Sequence, residues 1–108
     1  MKMATETFAY DPADFLTDDA AISAYLTVSL EEDDSSYFVR ALGAVARARN
    51  RMAGLASELG MPVDELDVML RDGRRVDLSV VLMIMRYLGV RLNATLQAES
   101  ERLHAAVA

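Results

Sequence analysis

The stretch from Arg51 to Val90, RMAGLASELGMPVDELDVMLRDGRRVDLSVVLMIMRYLGV, decides the fold. Met52, Leu55, Ala56 and Leu59 recur at helical spacing, so a short helix is predicted from about Arg51 to Leu59, ended by Gly60. Pro62 suits the first position of a second helix, which carries Val63, Leu66, Val68, Met69 and Leu70 and runs to about Arg71. Asp72-Gly73 is a turn signal. Val76 or Asp77 then precedes a third helix, Leu78 to Leu88, closed by Gly89. Within this run, Leu55-Ala56-x₃-Gly60-Met61-x₄-Leu66 has the spacing of a compact helix-turn-helix. A small Ala56 lets two helices cross closely, Gly60 makes the turn, and Leu66 locks the second helix on the first. Such a module ordinarily lays its second helix in the major groove of DNA. Here that helix carries Asp64, Glu65 and Asp67, the wrong sign for a phosphate-lined groove.

Working outward, residues 1–10 read as a flexible leader. Asp11-Pro12 opens a short turn through Phe15-Leu16, and Asp18 and Asp19 stand where a helix cap and first-turn acid belong. Ile22, Tyr25, Leu26 and Leu30 then predict a helix from about Asp18 to Glu31. EEDDSS (31–36) is a polar break whose Asp34 or Ser35 caps the next helix. That helix, about Ser36 to Arg49, buries Phe38, Leu42, Val45 and Ala46 and leaves Arg40, Arg47 and Arg49 on the complementary side. Asn50 is expected to cap the helix that follows. After Gly89, Val90 to Gln97 alternates apolar and polar residues, which predicts a short strand in need of a partner. Residues 99–108 are expected to fray. The division is therefore an acidic leader and helix over 1–36, a helix-turn-helix domain with its strand over 37–98, and a tail over 99–108.

With 108 residues and 53% apolar composition, the chain is long enough for one domain with a true core. No apolar run approaches the roughly 18 residues of a membrane span. The N-terminus lacks a secretory h-region, and there is no cysteine for disulfides, zinc or nucleophilic chemistry. A soluble, cytoplasmic protein without membrane contact is expected. The net charge of −6 is unevenly spread: residues 1–36 hold Lys2 against nine acids, while residues 37–98 hold nine arginines against six acids. Binding follows local patches, so overall acidity does not exclude nucleic acid.

Catalysis finds no support. The one histidine, His104, falls in the tail, and there is no Ser/His/acid set, no phosphate-cradling glycine loop and no histidine pair for a metal. No catalytic residue, no cofactor and no metal is expected. The acids of 31–34 lack the ligand spacing and turn glycine of a calcium loop. Met52, Met69, Met83 and Met85 occupy helical apolar positions and read as packing residues.

The region from Ala9 to Leu92 resembles the addiction-module antidote proteins, small HigA-like antitoxins with a lambda-repressor-type helix-turn-helix. The residues carrying the likeness are Tyr10-Asp11-Pro12-Ala13-Asp14-Phe15-Leu16, Ala24-Tyr25-Leu26 and Ala41-Leu42-Gly43-Ala44-Val45-Ala46-Arg47-Ala48-Arg49. They continue with Leu55-Ala56-x₃-Gly60, Leu66, Leu70, Gly73 and Val81-Leu82-x₅-Leu88-Gly89-Val90-x-Leu92. The resemblance implies a mainly α fold: a five-helix lambda-repressor-like helix-turn-helix domain with an N-terminal helical extension and a short C-terminal β-strand. It implies an antitoxin that neutralises a RelE/ParE-like toxin encoded beside it and binds, as a homodimer, the operator of their shared operon. Two departures stand out. Pro62 replaces the serine that usually opens the second helix, and Arg74-Arg75-Val76 replaces the usual proline-bearing turn.

On a DNA-binding reading, Arg51, Arg71, Arg74 and Arg75 hold phosphates, while Val63, Asp64, Asp67 and Val68 face base edges; a carboxylate there can accept from cytosine N4. The arginines have an alternative as solvated charges paired with Asp64, Glu65, Asp67 and Asp72. A competing reading keeps the fold as a protein-binding module with weak or lost DNA binding. Its acidic segment would dock a basic partner, or mimic nucleic acid to inhibit a nuclease.

Overall fold

The structure, a computed structural model, describes residues 11–98. Among them a 3₁₀ turn, Pro12–Phe15, precedes five α-helices: α1 Asp19–Leu30, α2 Ser35–Ala48, α3 Met52–Leu59, α4 Val63–Asp72 and α5 Leu78–Leu88. The first and second helices begin where their aspartates can bind backbone amides. Asp18 Oδ1 accepts from Ala21 N at 2.8 Å, and Asp34 Oδ1 accepts from Ser36 N at 3.0 Å, each satisfying a donor that a helix start leaves without a partner.

The α2 helix is the axis of the fold. Its residues from Phe38 to Ala46 are buried except for Arg40, and it packs against the 3₁₀ turn and all four other helices. Small residues let it do so: Ala41, Gly43, Ala44 and Ala46 give neighbouring helices room to approach. One core results, with Leu42, Leu55, Leu66, Leu70 and Ile84 at its centre. The expected α2 face of Phe38, Leu42, Val45 and Ala46 is buried, but the helix hides nearly its whole girth rather than a stripe. In α1, Leu30 is exposed and Ser29 is buried in its stead. The Ser29 hydroxyl donates back to Leu26 O at 2.8 Å, so its burial leaves no unmet donor.

Helix ends correct two expectations. Asn50 does not cap α3; it adopts φ 57° and closes α2, with Arg51 N donating to Ala46 O at 2.8 Å. The same six-to-one bond closes α3, where Gly60 has φ 70° and Met61 N donates to Ala56 O at 3.0 Å. Asparagine is the residue other than glycine that best tolerates this conformation, which is why Asn50 looks like a cap from sequence but ends a helix in space. Pro62 stands one place earlier than expected, with extended backbone before Val63.

No strand forms among the described residues. Val90 to Gln97 lies outside any regular element, and no backbone ladder is present for residues 91–96. The alternation is real, and Leu96 is 93% exposed, but a strand needs a neighbour's amides and carbonyls, which helical packing does not supply. Met85 is buried, Met52 and Met69 are half-buried, and Met83 is exposed. The expected leader over 1–10, the frayed tail over 99–108 and His104 lie outside the described residues.

Candidate nucleic-acid and partner interface

The outward surface of α4 follows from its inward one. Leu66 and Leu70 are fully buried, and at 3.6 residues per turn the side opposite them falls on Val68, with Asp64 and Arg71 beside it. Val68 is 68% exposed and Val63 40% exposed. Of the sequence-predicted site residues, Asp64, Asp67, Val68 and Arg71 thus lie on or beside one solvent-facing side of one helix. Val63 is at its rim. Arg74 and Arg75 follow in the loop to α5, both exposed.

Arg51 stands apart from this group. It opens α3 without a side-chain cap, and its guanidinium lies 6.0 Å from the Tyr87 ring centroid of α5, close enough for a weak cation–π attraction.

Within the group the arginines are unequally committed. Arg71 Nε donates to Asp67 Oδ2 at 2.9 Å, one turn away on the same helix. Arg74 Nε donates to Asp72 Oδ1 at 3.1 Å, and the Arg74 amide donates to the same carboxylate at 3.3 Å. The Arg74 side chain holds the Asp72 carboxyl below its ordinary range, helped by that backbone bond. Arg75 makes no ion pair among the described residues, and neither do Asp64 and Glu65. Exposed pairs such as these contribute little to stability and exchange readily for other partners, so Arg71 and Arg74 remain able to meet a phosphate.

A second constellation was not legible as a site. Arg47 of α2 grips Asp11 with two bonds, Nε to Oδ2 at 3.1 Å and Nη2 to Oδ1 at 2.9 Å. Arg49 pairs with Asp19 at the start of α1. The arginines of the Ala46-Arg47-Ala48-Arg49 segment therefore tie down the acidic N-terminal region. Asp11 also caps the 3₁₀ turn, accepting from Ala13 N at 3.0 Å. The Arg47 hydrogen bond is the main cause holding the Asp11 carboxyl below its ordinary value, against a smaller opposing effect of burial.

A depressed aspartate stabilises the fold above its unfolded pKa of about 3.9, and the contribution is lost as pH falls through the lower folded value. Arg47→Ala is therefore expected to lower stability at pH 7 by about 1–2 kcal/mol, the range for a charge-assisted pair discounted for partial exposure. It should also flatten the acid limb of a melting-temperature profile between pH 5 and 2. Thermal melts of both proteins across that range check it; a parallel offset at every pH would assign the loss to packing alone.

No group of three or more acids or histidines able to hold a metal occurs among the described residues. No described helix is long and apolar enough to cross a membrane.

These features define a small helical domain with a charged, solvent-facing side on α4. The family described as "Probable addiction module antidote protein" matches residues 6–96, and the chain belongs to that addiction-module antidote family. An uncharacterized protein of Haemophilus influenzae (strain ATCC 51907 / DSM 11121 / KW20 / Rd) is 32% identical over 82 residues, covering 76% of this chain and 84% of that protein. No solved structure matches. Membership of an antidote family implies a toxin partner, and such families are typically not enzymes.

Proposed function

We propose that this protein is a cytoplasmic antitoxin that neutralises a basic RelE/ParE-like toxin encoded beside it. On this reading it also binds the operator of their operon as a homodimer. The observation carrying the DNA half is the pairing of α3 and α4 across the tight Gly60–Pro62 turn with the outer side of α4 left wholly to solvent. That is the arrangement a lambda-repressor-type helix-turn-helix needs to enter a major groove. Arg71, Arg74 and Arg75 would then meet phosphates at one end of α4, with Arg51 doing so at the start of α3. Val63, Asp64, Asp67 and Val68 would face base edges. Co-expression with the adjacent toxin gene tests the first half: failure to relieve toxicity removes it. Gel shifts on the chain's own upstream DNA at two salt concentrations test the second, because phosphate contacts make binding fall steeply with salt.

The dimer would form through the α5 side bearing Leu82 and Met83, both exposed, together with residues 90–97. Pairing with a second copy would give residues 91–96 a backbone ladder, none being present for them among the described residues. Leu92→Glu combined with Leu96→Glu is expected to convert dimer to monomer without lowering the melting temperature of the monomer, since both side chains are exposed. Light scattering after gel filtration reads the mass; an unchanged dimer would place the interface elsewhere.

A second reading is favoured by the ion pairs of α4. Two of its three nearby arginines already have carboxylate partners, while Asp64 and Glu65 make no ion pair among the described residues. A protein that keeps the scaffold but binds DNA weakly, acting chiefly as the acidic partner of a basic protein, would look like this. Full relief of toxicity without a gel shift at low salt would select it.

A further inference from the structure

A groove of about 430 Å³ runs between the α1–α2 loop and the α4–α5 loop. Its floor is apolar: Phe38 and Val39 of α2, Val81 of α5 and Val76. Its lips carry Leu30, 48% exposed, and Leu78, 71% exposed. Along one rim stand Glu32, Asp33 and Asp34. Asp34 is occupied with capping α2, but Glu32 and Asp33 have no ion-pair partner among the described residues. The opposite rim has one arginine, Arg74, paired at its exposed end with Asp72, against the three carboxylates. The groove is thus a trough with exposed leucines at its lips and a net negative edge.

We propose that this groove docks a cationic amphipathic segment of a protein partner, its apolar side chains in the trough and its lysines or arginines against Glu32 and Asp33. Charge complementarity selects that occupant. A nucleic acid would bring phosphates against two unneutralised carboxylates, and a purely apolar ligand would gain nothing from the rim. A basic amphipathic helix or strand satisfies both, the pattern by which apolar grooves take peptide partners. The inference rests on the antitoxin reading for naming that partner as the toxin, but the chemistry of the groove does not depend on it.

The probe is a 16-residue amphipathic peptide of leucine and lysine, titrated into the ¹⁵N-labelled full-length chain, with a leucine–glutamate peptide of equal length as control. Amide shifts are expected at Phe38, Val39, Gly73, Leu78 and Val81 with the lysine peptide only. Glu32→Gln with Asp33→Asn should weaken binding roughly 25-fold, as for the loss of two solvated charge contacts, and Leu78→Ser should weaken it by a comparable factor. Both variants alter exposed residues, and melting curves matching the parent confirm their folding. The proposal is overturned if no shifts appear, if they map to Asp64 and Val68 of α4, or if neither variant weakens them. It is overturned equally if the groove amides move with protein concentration alone, which would make a second copy the occupant, or if duplex DNA produces the same shifts. Relief of toxicity by the same variants separates the two ideas. Groove binding without relief by the parent chain removes the antitoxin and leaves the groove; relief by parent and variants alike, with no peptide bound, does the reverse.

Discussion

Replacing Gly73 by alanine is expected to cost about 3 kcal/mol and to lower the thermal midpoint by roughly 12–24 °C for a domain of this size. Two effects add. Gly73 closes α4 at φ 72°, a left-handed conformation that costs other residues roughly 1–2 kcal/mol. A Cβ there would stand 2.7 Å from Ser36 O and 3.3 Å from Ser36 Cβ, which is overpacking of a kind that typically costs about 1–3 kcal/mol. Ser36 cannot step aside. It is buried in the first turn of α2, and its hydroxyl both donates to Asp34 at 2.7 Å and accepts from Arg40 at 2.9 Å. Gly60 and Gly89 supply the control: each has positive φ, yet an added Cβ meets nothing within 4 Å. Alanine at either should therefore cost only the conformational share, about 1–2 kcal/mol. Chemical denaturation of the three variants decides the matter, and equal losses at all three would show that the α2–α4 contact yields without cost.

Gly73 also marks the boundary of what the sequence makes legible. Its turn with Asp72 is readable from the residue pair alone, as are all five helices, because apolar spacing and flanking breakers are local signals. The contact with Ser36 is not local and leaves no trace in spacing. The same holds for Arg47 and Asp11, which are 36 residues apart; both stand in segments that carry the family likeness, but only the packing of the 3₁₀ turn on α2 shows that one holds the other. Val90–Gln97 fails in the opposite sense. Its alternation is a true local signal for a strand, but a strand is a property of two segments, and among the described residues none pairs with 91–96. On α4 the residue types are legible and their pairing is not. Arg71 reaches back to Asp67 and Arg74 to Asp72, so the alternative of self-paired arginines holds at those two, while Arg75 makes no ion pair among the described residues.

That unequal commitment gives the operator reading its most discriminating test, because neutralising an acid and neutralising a base should move affinity in opposite directions. Asp67→Asn is expected to tighten DNA binding: on the operator reading it removes a negative charge from the side that would face the groove and releases Arg71, which is 54% exposed at its side chain, to reach a phosphate. The helix loses only an exposed i,i+4 pair, about 0.3–0.5 kcal/mol. Each unit of charge change at a solvated contact is worth about 1 kcal/mol, roughly fivefold in affinity. A newly made phosphate contact should also steepen the slope of log affinity against log salt by about 0.9. Arg75→Ala should weaken binding by a similar factor and flatten the slope by the same amount. The double change Asp64→Asn with Glu65→Gln bears on base reading as well as charge. If Asp64 accepts from a cytosine N4, affinity for the chain's own operator should rise less than affinity for unrelated duplex, so the ratio between them narrows. Gel shifts on both duplexes at 50 and 200 mM salt read every arm. Affinities that ignore Asp67 and Arg75 alike would take α4 out of the groove, and the carboxylates it presents would then be surface for a basic protein rather than for DNA.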